Sequence, residues 1–71
     1  MNNVEEALNA MDTQELMQTL EDILSNPDYK KSNYTAPMKD ILQKYANKYT
    51  LTSSQVAFVQ AHLKFNSKLW Y

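Results

Sequence analysis

Few residues in this chain can do chemistry: one histidine, eight carboxylates, seven lysines and five tyrosines, with no cysteine, no arginine and no glycine. A lone histidine without cysteine or a paired carboxylate cannot build a zinc site. His62 is expected on a helix beside Gln55 and Asn66, facing away from Val59 and Leu63 and partly exposed. Paired-carboxylate catalysis needs two acids about 5–9 Å apart across a cleft. The acids here are expected on outer helix faces, as a solvated surface or as a docking face for a basic partner. Ser53 and Ser54 fall in the first turn of a capped helix with no base nearby in sequence. Without arginine there is no bidentate carboxylate or phosphate clamp. Without glycine there is neither a P-loop nor a dinucleotide-binding loop. The expectation is a non-enzyme with no catalytic residues, metal, cofactor or small-molecule substrate.

Charge is sharply divided. Residues 1–29 carry seven acids (Glu5, Glu6, Asp12, Glu15, Glu21, Asp22, Asp28) and no base, whereas residues 30–71 carry all seven lysines and only Asp40. All eight aromatic residues lie from Tyr29 onward. Lysines neutralise phosphates as point charges, and aromatic rings offer flat faces to unpaired bases. The candidate nucleic-acid-binding residues are therefore Lys30, Lys31, Tyr29, Tyr34, Lys39, Lys44, Lys48, Lys64 and Lys68. Tyr29 and Tyr34 flank the Lys30-Lys31 pair. Asp40 can pair with Lys44 four residues on and remove part of that charge. Two other readings stand beside this one: a merely solvated lysine face with Tyr45 and Tyr49 in the core, or a protein-binding surface. A DNA-binding face would also require the first two helices to turn their acids away from the lysines.

Four helices must position these groups. Asn3 with Glu6, Asp12 with Glu15, and Thr52 with Gln55 each have the spacing of a capping box. Met11/Leu16 and Leu51/Val56 are placed as hydrophobic staples around the second and fourth helices. Val4, Ala7, Leu8 and Met11 share one face of the first helix. Leu16, Met17, Leu20, Ile23 and Leu24 form the stripe of the second, which Asn26-Pro27-Asp28 ends. Residues 28–34 read as the one real loop. Thr35 is the expected cap of the third helix, with Pro37 in its first turn. Met38, Ile41, Leu42, Tyr45 and Tyr49 are expected on that helix's buried side. No position in this glycine-free chain is expected to need a positive φ.

The fourth helix carries two apolar arcs, Val56/Val59/Leu63 and Ala57/Phe58/Ala61/Phe65. The tail from Asn66 to Tyr71 lacks a helical pattern but contains Leu69 and Trp70. One of these two is expected to fold back over the second arc, making the fourth helix central. The alternative is an open patch in which Phe58, Phe65 and Trp70 dock a partner.

The stretch Lys44-Tyr-Ala-Asn-Lys-Tyr-Thr-Leu-Thr52, followed by Gln55-Val-Ala-Phe-Val59, lies within a segment from Tyr34 to Phe65. That segment resembles small helical proteins of tailed phages. In size and overall character the whole chain resembles the small proteins that T4-type phages encode beside the UvsW recombination and repair helicase. The resemblance implies a helical bundle serving as an accessory in DNA recombination and repair. It further implies a nucleic-acid-binding style like that of the small helical modules attached to RecQ-type helicases.

The expected fold is all-α, a compact four-helix bundle with short connections, forming a single helical domain over residues 1–71. At this length the core is modest and stability should be roughly 4–10 kcal/mol. No apolar run approaches the roughly 18 residues of a membrane span, and Met1 to Met11 do not read as a secretory signal. The expected location is the cytoplasm (a host's, if phage-encoded), with no membrane partner. The expected function is weak nucleic-acid binding by an accessory protein in phage DNA recombination or repair. Its expected partners are single-stranded or branched DNA and a helicase or other recombination protein. The alternative is a protein-interaction module using the acidic half or the Phe58/Phe65/Trp70 arc.

Overall fold

Helices α1 (Val4–Ala10), α2 (Thr13–Leu24), α3 (Thr35–Ala46) and α4 (Ser53–Phe65) follow one another along the chain, and a 3-10 turn, Ser67–Leu69, comes last. The computed structural model describes residues 3–71; of the single domain expected over 1–71, Met1 and Asn2 lie outside the described residues. No strand occurs among the described residues. The Cα radius of gyration is 11.5 Å, close to the roughly 11 Å of a compact chain of this length. The fold is the expected all-α four-helix bundle. No helix of the described residues is long and apolar enough to cross a membrane.

Two of the expected capping boxes form. The Glu15 N–H donates to Asp12 Oδ1 at 2.8 Å and the Asp12 N–H reaches back to Glu15 Oε1. Thr52 N–H donates to Gln55 Oε1 at 2.8 Å, and Gln55 N–H to Thr52 Oγ1 at 3.1 Å. The box expected at Asn3 does not form. Asn3 sits at φ −90°, ψ 3°, away from the extended backbone of Asp12 and Thr52, and its side chain makes no cap bond. Thr35 is not the cap of α3 either. Tyr34 takes that place with helical dihedrals, so Thr35 is the first helical residue and its hydroxyl turns inward.

Each helix contributes residues of its expected stripe to one core. Val4 and Leu8, Leu16, Met17, Leu20 and Ile23, Met38 and Ile41, and Val59 and Leu63 are all buried and mutually packed. The main packings are α2 on α4, α2 on α3 and α1 on α4, so α2 and α4 share the centre.

The end of α3 departs from expectation. Lys48 has φ 71°, a left-handed conformation in a chain expected to need none. The Lys48 N–H donates to the Tyr45 carbonyl and the Tyr49 N–H to the Lys44 carbonyl, both at 3.0 Å. This is a Schellman motif with lysine where glycine is usual. The reversal swings Tyr49 off the helix stripe, and it is 65% exposed where a core position was expected.

Candidate functional site

A groove of about 870 Å³ runs between the loop before α3, the outer side of α4 and the tail. The loop supplies Asp28, Lys30, Lys31, Ser32 and Tyr34; α4 supplies Phe58, Ala61, His62 and Phe65; the tail supplies Asn66, Ser67, Lys68 and Leu69. Its lining is largely apolar, and its charged residues are Lys30, Lys31 and Lys68 with the opposing Asp28.

Local chemistry fixes the loop. The Asp28 N–H donates to Asn26 Oδ1 at 2.8 Å, and the Tyr29 N–H to the Asn26 carbonyl at 2.9 Å, closing a turn over Pro27. Tyr29 then reaches inward. Its hydroxyl lies 3.0 Å from Thr35 Oγ1 and 2.8 Å from His62 Nε2. Thr35 Oγ1 also accepts the Ser32 N–H at 2.9 Å. Thr35 and His62 are both buried, and no buried side-chain polar atom among the described residues lacks a partner.

His62 is therefore not the partly exposed residue that its polar helix neighbours Gln55 and Asn66 implied. Only 7% of it is exposed, because Tyr29 and Tyr34 cover it, with Tyr29 edge-on at 5.8 Å between ring centroids. Burial pushes its imidazole below the ordinary value.

The second apolar arc of α4 is mostly not covered by the tail. Phe58 is half-buried, with the Tyr34 ring edge-on at 5.8 Å, and Phe65 is 88% exposed. Leu69 and Trp70 instead pack against the core. The Trp70 indole N–H donates to the Leu63 carbonyl at 2.7 Å, and Asn66 Nδ2 to that of His62 at 2.9 Å. The His62 carbonyl also accepts the Asn66 backbone N–H at 3.1 Å. The Leu63 carbonyl, in the last turn of α4, takes its donor from the Trp70 ring, which draws the tail to the helix terminus instead of over Phe65. The 3-10 turn at Ser67–Leu69 gives the tail the regular structure that its sequence pattern did not suggest.

Of the nine candidate binding residues, the groove gathers Lys30, Lys31, Tyr34 and Lys68. Tyr29 sits behind them with its hydroxyl engaged in the network. Lys64 pairs with Glu5, which joins the acidic and basic halves at one point. Lys44 pairs with Asp40 at 3.3 Å, as the four-residue spacing anticipated. Lys39 is exposed on α3, and Lys48 lines a separate, smaller cleft with Tyr45, Tyr49 and Leu51. Lys30, Lys31 and Lys68 form no ion pair among the described residues. Phe58, His62 and Phe65 join the site through their i, i+4, i+7 spacing, whereas Asp28 and Leu69 reach it by tertiary packing that no local pattern signals. No cluster of three metal-binding side chains occurs among the described residues.

No family model matches the chain, and no curated protein or solved structure matches it.

Proposed function

We propose that this protein is a non-enzymatic accessory that binds nucleic acid weakly through the groove between loop 28–34, α4 and the tail. The observation that carries the reading is the gathering of Lys30, Lys31 and Lys68, which form no ion pair among the described residues, around exposed aromatic surface. Free lysines can each release counterions from a phosphate, and the rings add contact that is indifferent to sequence. Three point charges without arginine give modest affinity and strong salt dependence. The stretch from Tyr34 to Phe65 that resembles small helical proteins of tailed phages, in a chain whose overall character resembles those encoded beside UvsW, supplies Tyr34, Phe58 and Phe65 to this groove. That likeness supports a place in phage DNA recombination or repair, beside a helicase.

Titration with labelled nucleic acid at two salt concentrations, followed by amide chemical-shift mapping, tests the reading. Shifts should concentrate in residues 28–34 and 58–69 and spare the exposed face of α3. Binding that ignores salt, or shifts confined to α3, would refute it.

A protein-interaction module is the second reading, favoured by the 88% exposure of Phe65. An apolar side chain left this open in a 71-residue chain is a ready contact for a partner.

A further inference from the structure

We infer that the groove selects unpaired nucleic-acid strands, with bases stacking on Phe65 and Tyr34 while Lys30, Lys31 and Lys68 hold the phosphates. This rests on the nucleic-acid reading above and narrows the expected single-stranded or branched DNA to the unpaired strand, held by named rings and lysines.

The argument begins with what a duplex offers. Paired bases hide their faces in the stack and present only edges and phosphates, so ring surface on the protein gains little from them. Unpaired bases present both faces, and aromatic side chains use these without regard to sequence. Four large apolar residues are exposed among those described: Tyr34, Tyr49, Phe65 and Tyr71. Two of the four, Tyr34 at 55% and Phe65 at 88%, line this one groove.

The lysines and rings also interleave along the chain. Lys30 and Lys31 precede Tyr34 along the loop, and Lys68 follows Phe65 by three residues on the tail. The platform is preformed. Tyr34 stands edge-on against Phe58, and the Tyr29–His62 hydrogen bond ties the lysine-bearing loop to α4. An acidic peptide would satisfy the same charges, but its apolar anchor needs a pocket in which to be desolvated. A ring as open as Phe65 is a platform and not a pocket.

The test is fluorescence anisotropy with a labelled oligothymidylate and a duplex of equal length. At about 50 mM salt the single strand should bind at least about 10-fold tighter, the stacking of one or two bases being worth that much. Raising salt to about 200 mM should weaken it about 20-fold, for three phosphate contacts on a single strand. Phe65→Ala should cost the single strand about 10-fold, leave the duplex unchanged and leave the melting temperature unchanged. Phe65→Tyr, which keeps a ring, should bind as the native chain does.

Equal affinity for the two forms, with Phe65→Ala silent but Lys30→Gln/Lys31→Gln weakening both, would overturn strand selection and leave the nucleic-acid reading standing. No binding of either at low salt would overturn both. Amide shifts at residues 58–68 with an acidic peptide carrying a Leu-Phe core, and none with DNA, would place a protein segment there instead.

Discussion

The hydroxyl of Tyr29 and Nε2 of His62, 33 residues apart in sequence, lie 2.8 Å from one another and join the loop before α3 to the outer side of α4. Thr35 completes a relay of three side chains in a part-buried setting. Tyr29→Phe keeps the ring and deletes the hydroxyl, leaving His62 Nε2 and Thr35 Oγ1 without that partner. We expect a loss of about 1–3 kcal/mol in urea denaturation, the usual range for an orphaned buried polar group. A value near zero would mean that water replaces the hydroxyl.

The same histidine gives stability a pH dependence. Burial holds the His62 imidazole below its ordinary value of 6.5, so as pH falls through 6.5 the unfolded chain takes up the proton first. The stabilisation is fully present above that value, is lost as pH drops below it, and levels off below the folded-state value. Glu5 plays no part in this window. The Lys64 hydrogen bond, and then its charge, hold that carboxylate below 4.5. Denaturation at about pH 7.5 and pH 5.5 should show the loss, and His62→Gln should abolish it. An imidazole titrating at or above 6.5 by NMR would contradict this account.

Lys48→Gly should stabilise the fold. A non-glycine residue in the left-handed region carries about 1–2 kcal/mol of strain, partly offset by the greater entropy glycine loses on folding. The net expectation is a gain of about 0.5–1 kcal/mol, whereas the β-branched Lys48→Val should destabilise. Thermal melts of the two variants should move in opposite directions.

Trp70 anchors the tail through its indole N–H. Trp70→Phe retains most of the packing and should cost about 1 kcal/mol for the hydrogen bond to the Leu63 carbonyl. Removing Leu69 to Tyr71 should cost about 2–4 kcal/mol, as large packed side chains are lost with it. An unchanged melting temperature after that deletion would show that the tail contributes nothing to the bundle.

The lysines should also separate by position. Lys39→Gln/Lys44→Gln should leave oligonucleotide affinity within about twofold, since these side chains stand on α3 and Lys44 already has Asp40. Lys30→Gln/Lys31→Gln should weaken binding about fivefold or more at low salt. Equal effects of the two pairs would point to a diffuse surface instead of the groove.

Much of the bundle was legible because its signals are local. Asp12 with Glu15 and Thr52 with Gln55 announce helix starts three residues apart, and the stripe from Leu16 to Ile23 needs only helical periodicity. Asn3 with Glu6 shows the same spacing, yet Asn3 takes a backbone conformation in which its side chain makes no cap. Tyr49 continues the Tyr45 stripe on paper, but the chain reverses at Lys48, and no glycine marked the turn. His62 reads as partly exposed because the groups that bury it, Tyr29 and Tyr34, arrive from about thirty residues away. The groove was legible only as separate pieces: the lysine–tyrosine loop, the second arc of α4 and the apolar tail. Its assembly depends on how Trp70 of the tail reaches the Leu63 carbonyl at the end of α4, which is a tertiary event.

Helix α1 has seven residues and no side-chain cap, and its chief neighbour is α4, on the far side of the sequence. An isolated helix that short does not persist in water, so α1 exists only while it is docked. Its burial is limited to Val4 and Leu8, whereas α2 buries four residues and lies against both α3 and α4. The bundle should accordingly open in stages. Amide hydrogens of α1 would exchange through a local undocking of low free energy, and those of α2 only through global unfolding. Helix α1, with Glu5 and Glu6, is thus the part of the molecule most readily released while the rest stays folded.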